Sequence, residues 1–390
     1  MFKTKKAIAL VIALIYIIGC LSGCSSDAKD KATGSDSKKL QIVTTIFPEY
    51  DWVQSILGDN PGKAEVTLLL DNGVDLHSYQ PTASDILKIS SCDMFIYVGG
   101  ESDGWVEDTI KTASNKNMSV INLLESLGDS VKEEEMVEGM QESAHNHDHD
   151  HDHDEDEDHD HDHDHDEDED HDHDHDEGED HDHDEDEDHD HDEDEDHDHE
   201  HEHHHEHEEG EVEYDEHVWL SLRNTSSLVM TISKSLQKLD PENASTYKKN
   251  TDAYIEKLNK LDADYKAAVD AASVKTVLFG DRFPFRYLVD DYGLKYYAAF
   301  VGCSAETEAS FETISFLAGK VDELSLHSVF TIEKSDQKIA KTIVSNSKSK
   351  DQSILTLDSL QSTTSEDIKN GTTYLSVMEN NLNVLKVALK

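Results

Sequence analysis

Apolar positions fall into two kinds of run along the chain, and the two alternate. Residues 40–45 (LQIVTT) form a short β-branched stretch of the kind that makes a buried strand, and 66–70, 94–98 and 120–123 repeat it. Between them, 81–90 carries Ile86, Leu87 and Ile89 at helical spacing behind the start signals Thr82 and Ser84, and 105–113 gives a second helix. Further on, 226–239 is helical in pattern, and Asp240-Pro241-Glu242-Asn243 ends that helix and starts another, with Pro241 near a first turn. The stretch 244–272 contains no Gly or Pro and spaces Tyr247, Tyr254, Leu258, Leu261 and Tyr265 along its length; as one helix it would extend about 43 Å. A second strand–helix series follows at 274–279, 296–300, 311–318, 329–332, 339–345 and 354–357, and 374–389 closes as an amphipathic helix. Strands alternating with helices predict an α/β fold with mainly parallel sheets.

Two segments break the pattern. Residues 7–18 are an unbroken apolar run behind Lys3, Lys5 and Lys6, too short to span a bilayer and suited to a signal peptide. Leu21-Ser22-Gly23-Cys24 follows and looks like a lipobox, so 1–23 is expected to be removed, Cys24 lipidated, and 24–39 left as a flexible tether. From 133 to 211 there is no apolar periodicity; this insert is expected to remain without a packed core. It holds 23 of the 26 histidines, all but His77, His217 and His327.

Charge confirms the division. The formal net charge is -55, but residues 145–209 supply 40 of the 88 acids and no Lys or Arg. The rest is only moderately acidic, and with no basic face to neutralise phosphates the chain is not expected to bind nucleic acid. With the signal and insert set aside, 390 residues leave room for two ordinary domains. Cys92 and Cys303 stand far apart and read as small buried residues rather than ligands or a cross-link.

The segment Asn72-Gly73-Val74-Asp75-Leu76-His77-Ser78-Tyr79-Gln80-Pro81-Thr82 resembles the first metal-ligand motif of the zinc- and manganese-type solute-binding proteins of ABC importers. So do Tyr97-Val98-Gly99-Gly100-Glu101-Ser102, Asp215-Glu216-His217-Val218-Trp219-Leu220, residues 300–310 (FVGCSAETEAS), Leu357-Asp358-Ser359-Leu360, and the ending Tyr374, Met378, Asn381 and Leu382. The order of the motifs, and the place of the His-rich tract, are those of the zinc-binding subtype. The resemblance implies two lobes, 40–243 (carrying the 133–211 insert) and 273–390, joined by one long rigid helix at 244–272, with metal in the cleft between them. It also implies an extracytoplasmic, lipid-anchored, non-enzymatic monomer that delivers Zn²⁺, or Mn²⁺, to a membrane permease.

His77 and His217 are the expected ligands, since neutral imidazole suits Zn²⁺ and its neighbours. At the third position the chain departs from the family. Aligning Phe285 and Tyr287 puts Arg282 where a His or Glu stands, and a cation cannot ligate. Asp281 is the nearest donor, and it either ligates or pairs with Arg282. Asp358, after the last strand, aligns with the carboxylate that completes many such sites, and is otherwise a turn residue. Glu306 and Glu308 are placed near the cleft but not as ligands, and His327 is read as structural. Other classes remain: a metal-buffering surface adhesin, or a zinc hydrolase, for which there is no HExxH and no Ser or Cys nucleophile motif.

The tract reads either as a collector with many weak N/O sites or as an acidic spacer, and its histidines favour the first. Changing its 23 histidines to Asn, acids and length kept, should remove several weak zinc sites per chain that fade below pH ~6.5, and should slow growth only in scarce zinc. Unimpaired zinc-limited growth of that variant would make the tract a spacer.

Overall fold

A computed structural model describes residues 39–59, 63–141, 213–304 and 308–390. The first β-branched run becomes β1 (Leu40–Thr44), which pairs in parallel with β2 (Ala64–Leu68) and β3 (Met94–Tyr97), and β3 with β4 (Ser119–Asn122), in the order β2-β1-β3-β4. Helices α1 (Phe47–Leu57), α2 (Ala83–Ser91), α3 (Val106–Thr112) and α4 (Leu123–Leu127) complete this lobe. The chain then runs through α5 (Leu222–Leu239) and α6 (Ala244–Asp270), whose 27 residues extend about 40 Å.

The second lobe repeats the scheme. Strands β5 (Thr276–Phe283), β6 (Lys295–Val301), β7 (Ser328–Ile332) and β8 (Ser353–Leu357) are parallel, in the order β6-β5-β7-β8. Around them lie α7 (Arg286–Tyr292), α8 (Phe311–Glu323), α9 (Lys338–Asn346), α10 (Ser365–Lys369) and α11 (Tyr374–Ala388). The fold is therefore the expected one, two parallel-sheet lobes with a long helix between them. In both sheets the strands point their carboxyl ends at the cleft, where loops can gather ligand-binding groups.

Helices α1, α7 and α10 are too short or too irregularly apolar to stand out by periodicity. Local chemistry sets α1: Pro48 occupies its first turn, and the buried Glu49 carboxylate accepts the Thr45 and Ile46 backbone N–H groups at 2.8 and 3.3 Å. A second difference concerns the expected insert. Its first residues, 133–141, belong to the fold. Glu133 forms a bridge with Tyr214, Glu134 N–H donates to Glu213 C=O at 2.9 Å, Gln141 N–H donates to Ala299 C=O at 2.9 Å, and Met140 is buried. Backbone pairing holds this strap, and such pairing leaves no apolar periodicity to read. The remaining insert, 142–211, lies outside the described residues, as do Cys24, the signal segment and all of the tether except Lys39.

The long helix is clamped by polar contacts inside an apolar core. Tyr265 donates its hydroxyl to Met378 C=O of α11 at 2.6 Å. Asp51 of α1 accepts the Tyr374 N–H at 3.1 Å and the Tyr254 hydroxyl at 3.5 Å, tying α1, α6 and α11 together. Burial pushes the Asp51 carboxyl from 3.8 up to about 6, against the pull of those two bonds. The fold therefore favours its protonated form. Asp51's contribution is fully present below pH ~4 and is lost as pH rises through about 6, at most about 3 kcal/mol. Asp51→Asn keeps an acceptor for Tyr374 and cannot titrate. Urea denaturation between pH 4 and 7 should show a shallower loss of stability in the variant than in the parent; parallel curves would refute this.

Candidate functional site

Two Asp-x-His units build the centre. In Asp75-Leu76-His77, Asp75 Oδ1 accepts the His77 backbone N–H at 3.0 Å and caps a 3-10 turn, Leu76–Ser78. In Asp215-Glu216-His217, Asp215 Oδ1 accepts the His217 backbone N–H at 2.9 Å, ahead of the 3-10 turn Val218–Leu220. Leu76, Val218, Trp219 and Leu220 are fully buried, so each turn is anchored by apolar packing and each imidazole by a carboxylate at its own backbone. Trp219 also donates its indole N–H across the cleft to Ser359 C=O at 2.8 Å, fixing the His217 turn to the loop after β8.

The two imidazoles meet with Nε2 atoms 3.2 Å apart, His217 fully buried and the His77 side chain 9% exposed. Asp215 Oδ1 lies 3.0 Å from His217 Nδ1, and this pattern assigns the proton to Nδ1 and the lone pair to Nε2. His77 Nδ1 lies 2.8 Å from Ser102 Oγ and 3.4 Å from Glu216 Oε2. That Glu216 oxygen is buried with no hydrogen-bond partner, while Oε1 accepts the Ser102 N–H at 2.9 Å. With a proton on Nδ1, His77 gives Glu216 its missing partner and turns a second lone pair inward. Carboxylate-backed histidine is the arrangement that orients imidazole on a metal. Burial first, and then the neighbouring His217, hold His77 well below the ordinary imidazole range, in its neutral form. Gly99 and Gly100, at φ +92° and +82°, make the turn that presents Ser102.

Gln361 adds a further donor. Its amide turns the NH₂ towards Asp75, at 3.1 and 3.2 Å from the two carboxylate oxygens, which leaves its carbonyl oxygen 3.2 Å from His217 Nε2. That oxygen accepts from Nε2 when Nε2 carries a proton, and with Nε2 unprotonated the nitrogen and the oxygen can share one cation. Tetrahedral zinc, at 2.0–2.1 Å from each nitrogen, would separate two nitrogens by about 3.3 Å. The donor set fits such an ion.

Of the four ligands expected from sequence, the structure brings His77 and His217 together and leaves Asp281 and Asp358 apart. Among the described residues, the histidine, cysteine and carboxylate atoms close enough to share one ion belong to His77, His217 and Cys303, all within 4.8 Å of one another. Asp281 spends its oxygens on backbone N–H groups, those of Arg282 at 3.0 Å and Ile332 at 3.4 Å. Its expected ion pair with Arg282 is also absent: the Arg282 guanidinium crosses the cleft to Asp75. Burial raises the Asp75 carboxyl, but Arg282 and His77 outweigh it and hold Asp75 below the ordinary carboxylate range. Asp358 accepts the Leu360 N–H at 2.8 Å, and burial, then Glu333, push its carboxyl up to about 7. His327 is exposed just before β7, Glu308 is exposed, and Glu306 lies outside the described residues.

Cys92 is buried against Met118, as expected of a small core residue. Cys303, expected to be another, instead lines a cavity of about 250 Å³ with His77, Ser102, Glu134, Glu213 and Glu216. Its position one residue past Gly302 at the carboxyl end of a parallel strand was the available signal. The repeated Asp-x-His spacing was the signal for Asp75 and Asp215.

The family model described as zinc-uptake complex component A, periplasmic (ZnuA), matches residues 42–388. The zinc-binding lipoprotein AdcA of Streptococcus pneumoniae is 30% identical over 391 residues, covering 98% of this chain and 60% of that protein. The high-affinity zinc uptake system protein ZnuA of Bacillus subtilis is 26% identical over 389 residues, covering 100% of this chain and 99% of that one. The Zn(II)-bound ZnuA-like domain of the pneumococcal AdcA superposes with a TM-score of 0.59 at 27% identity, over 90% of this chain and 99% of that domain. The chain thus spans about 60% of the length of the AdcA relatives. With the match running through both lobes and both Asp-x-His units, the chain belongs to the ZnuA family of zinc-uptake component A proteins.

Proposed function

We propose that this chain binds Zn²⁺ in the cleft between its lobes, outside the cytoplasmic membrane, and delivers it to the permease of an ABC importer without catalysing a reaction. The observation that carries the reading is the pair of carboxylate-backed imidazoles with Nε2 atoms 3.2 Å apart, close to a tetrahedral zinc edge. The relatives named for zinc binding and zinc uptake support it. Nitrogen donors also favour zinc over Mn²⁺, which prefers oxygen. Anchoring through a lipid on Cys24 and action as a monomer belong to the same proposal. So does a collecting role for the His-rich tract, which leaves the described fold after Gln141 and rejoins it at Glu213, a residue lining the cavity.

His77 and His217 are the proposed ligands. Replacing both by Ala, in a background with the tract histidines changed to Asn, should abolish the tight stoichiometric zinc site in titration calorimetry. One unchanged high-affinity site would sink the assignment. The same titration ranks the residues at the departing third position. Arg282→Gln leaves Asp75 without its charge partner and loosens the His77 turn, so zinc affinity should fall about ten-fold. Asp281→Asn keeps a carbonyl acceptor for the two backbone N–H groups and should change affinity by less than about three-fold. The reverse ranking would restore Asp281 as a ligand.

A further inference from the structure

The zinc reading leaves the cleft short of a protein ligand. Two imidazoles and an amide oxygen are in place, but Arg282 is committed to Asp75, and the Asp281 and Asp358 carboxylates to backbone N–H groups. Among the histidines, cysteines and carboxylates of the described residues, Cys303 is the one whose donor atom stands within 4.8 Å of both imidazoles. From the geometry, we propose that the Cys303 thiolate completes the site, making it a His77–His217–Cys303 centre that selects zinc over manganese.

Several independent features direct the sulfur to that place. A Cβ on Gly302 would meet His217 Cε1 at 3.0 Å and Nδ1 at 3.1 Å, with Phe283 C=O at 2.9 Å on the other side. Only glycine lets the strand end lie flat on the His217 ring, and this close approach puts the following residue beside the ligands. The Cys303 backbone is held by its N–H, which donates to Glu134 Oε1 at 3.2 Å. The thiol and His77 then line one cavity of about 250 Å³, room for an ion and its water.

Tetrahedral zinc spaces a nitrogen and a sulfur ligand about 3.6 Å apart. A separation of up to 4.8 Å therefore closes with a movement of about an ångström, within reach of a change in χ1. On binding, the Zn–S bond forms as the S–H bond breaks and the proton leaves to water, with no change of oxidation state. Thiolate is a soft ligand, suited to Zn²⁺ and poorly suited to Mn²⁺, so this one residue would decide which metal the cleft keeps.

The proposal rests on zinc capture in the cleft, and the test separates the two. Co²⁺ is titrated into the intact chain as a spectroscopic stand-in for zinc. The expected result is a thiolate-to-cobalt charge-transfer band in the near ultraviolet that saturates at one equivalent, persists in Cys92→Ser and vanishes in Cys303→Ser. The carboxylates and imidazoles of the tract give no such band. Zinc affinity should fall about ten-fold or more in Cys303→Ser, and Cys303→Asp should shift the zinc-to-manganese affinity ratio towards manganese by at least as much. Should either variant fold poorly, the parent chain answers alone: one equivalent of zinc should protect Cys303 from alkylation, read by peptide mass mapping. Stoichiometric cobalt or zinc binding that depends on His77 and His217 but shows no thiolate band and no protection of Cys303 overturns the cysteine ligand and leaves zinc capture standing. A parent chain that takes up no stoichiometric metal overturns both.

Discussion

Two buried imidazoles held 3.2 Å apart are the constraint around which the molecule is arranged. Two imidazoles at that distance cannot both be charged without strong repulsion in a poorly solvated site, and burial, with His217 beside it, holds His77 neutral. Hydrogen bonds fix both rings: Asp215 accepts from the His217 Nδ1–H, and Ser102 with Glu216 faces Nδ1 of His77. The buried Glu216 Oε2 then has the His77 Nδ1 proton as its partner, at 3.4 Å.

Holding that geometry requires the lobes to be registered against one another. Contacts close to the site that do this include the Arg282 guanidinium on Asp75, the Trp219 indole on Ser359 C=O, and the bridge between Asn72 and Thr364. Each joins one lobe to the other. The Asp75–Arg282 pair has a further consequence, because Asp75 also caps the turn that carries His77. A partly buried guanidinium is costly unless paired. Its pairing with Asp75 makes the position that aligns with a family ligand a clamp on the turn that carries His77. Away from the cleft, α6 and α11 cross both lobes and are tied by Tyr265 and Asp51.

Much of this was legible in the chain. Strand runs such as 40–45 and 94–98, the uninterrupted 244–272 stretch and the closing helix were readable because burial on a strand and on a long helix imposes a period. His77 and His217 were readable because each sits in a compact motif and the motifs come in order. The short helices α1, α7 and α10 were not, because caps and tertiary packing rather than periodicity hold them. Nor was the strap at 133–141, which is fixed by backbone hydrogen bonds that any residues can make. Asp281 and Asp358 were chosen as carboxylates near strand ends, and sequence cannot tell that their oxygens face backbone N–H groups.

The sequence by itself determined the α/β class, the two-lobe scheme with its long helix, and the two histidines at its centre. Their local signals are periodicity and near-neighbour motifs, which a chain carries wherever it folds. Only the tertiary structure decided which groups stand with those histidines: Gln361 and Cys303, 144 and 86 residues beyond His217, are there, and Asp281 and Asp358 are elsewhere. The physical reason is that a metal site depends on lone pairs converging within a few ångströms, and that distance is set by how two sheets face each other across a cleft. Spacing along the chain carries no measure of it.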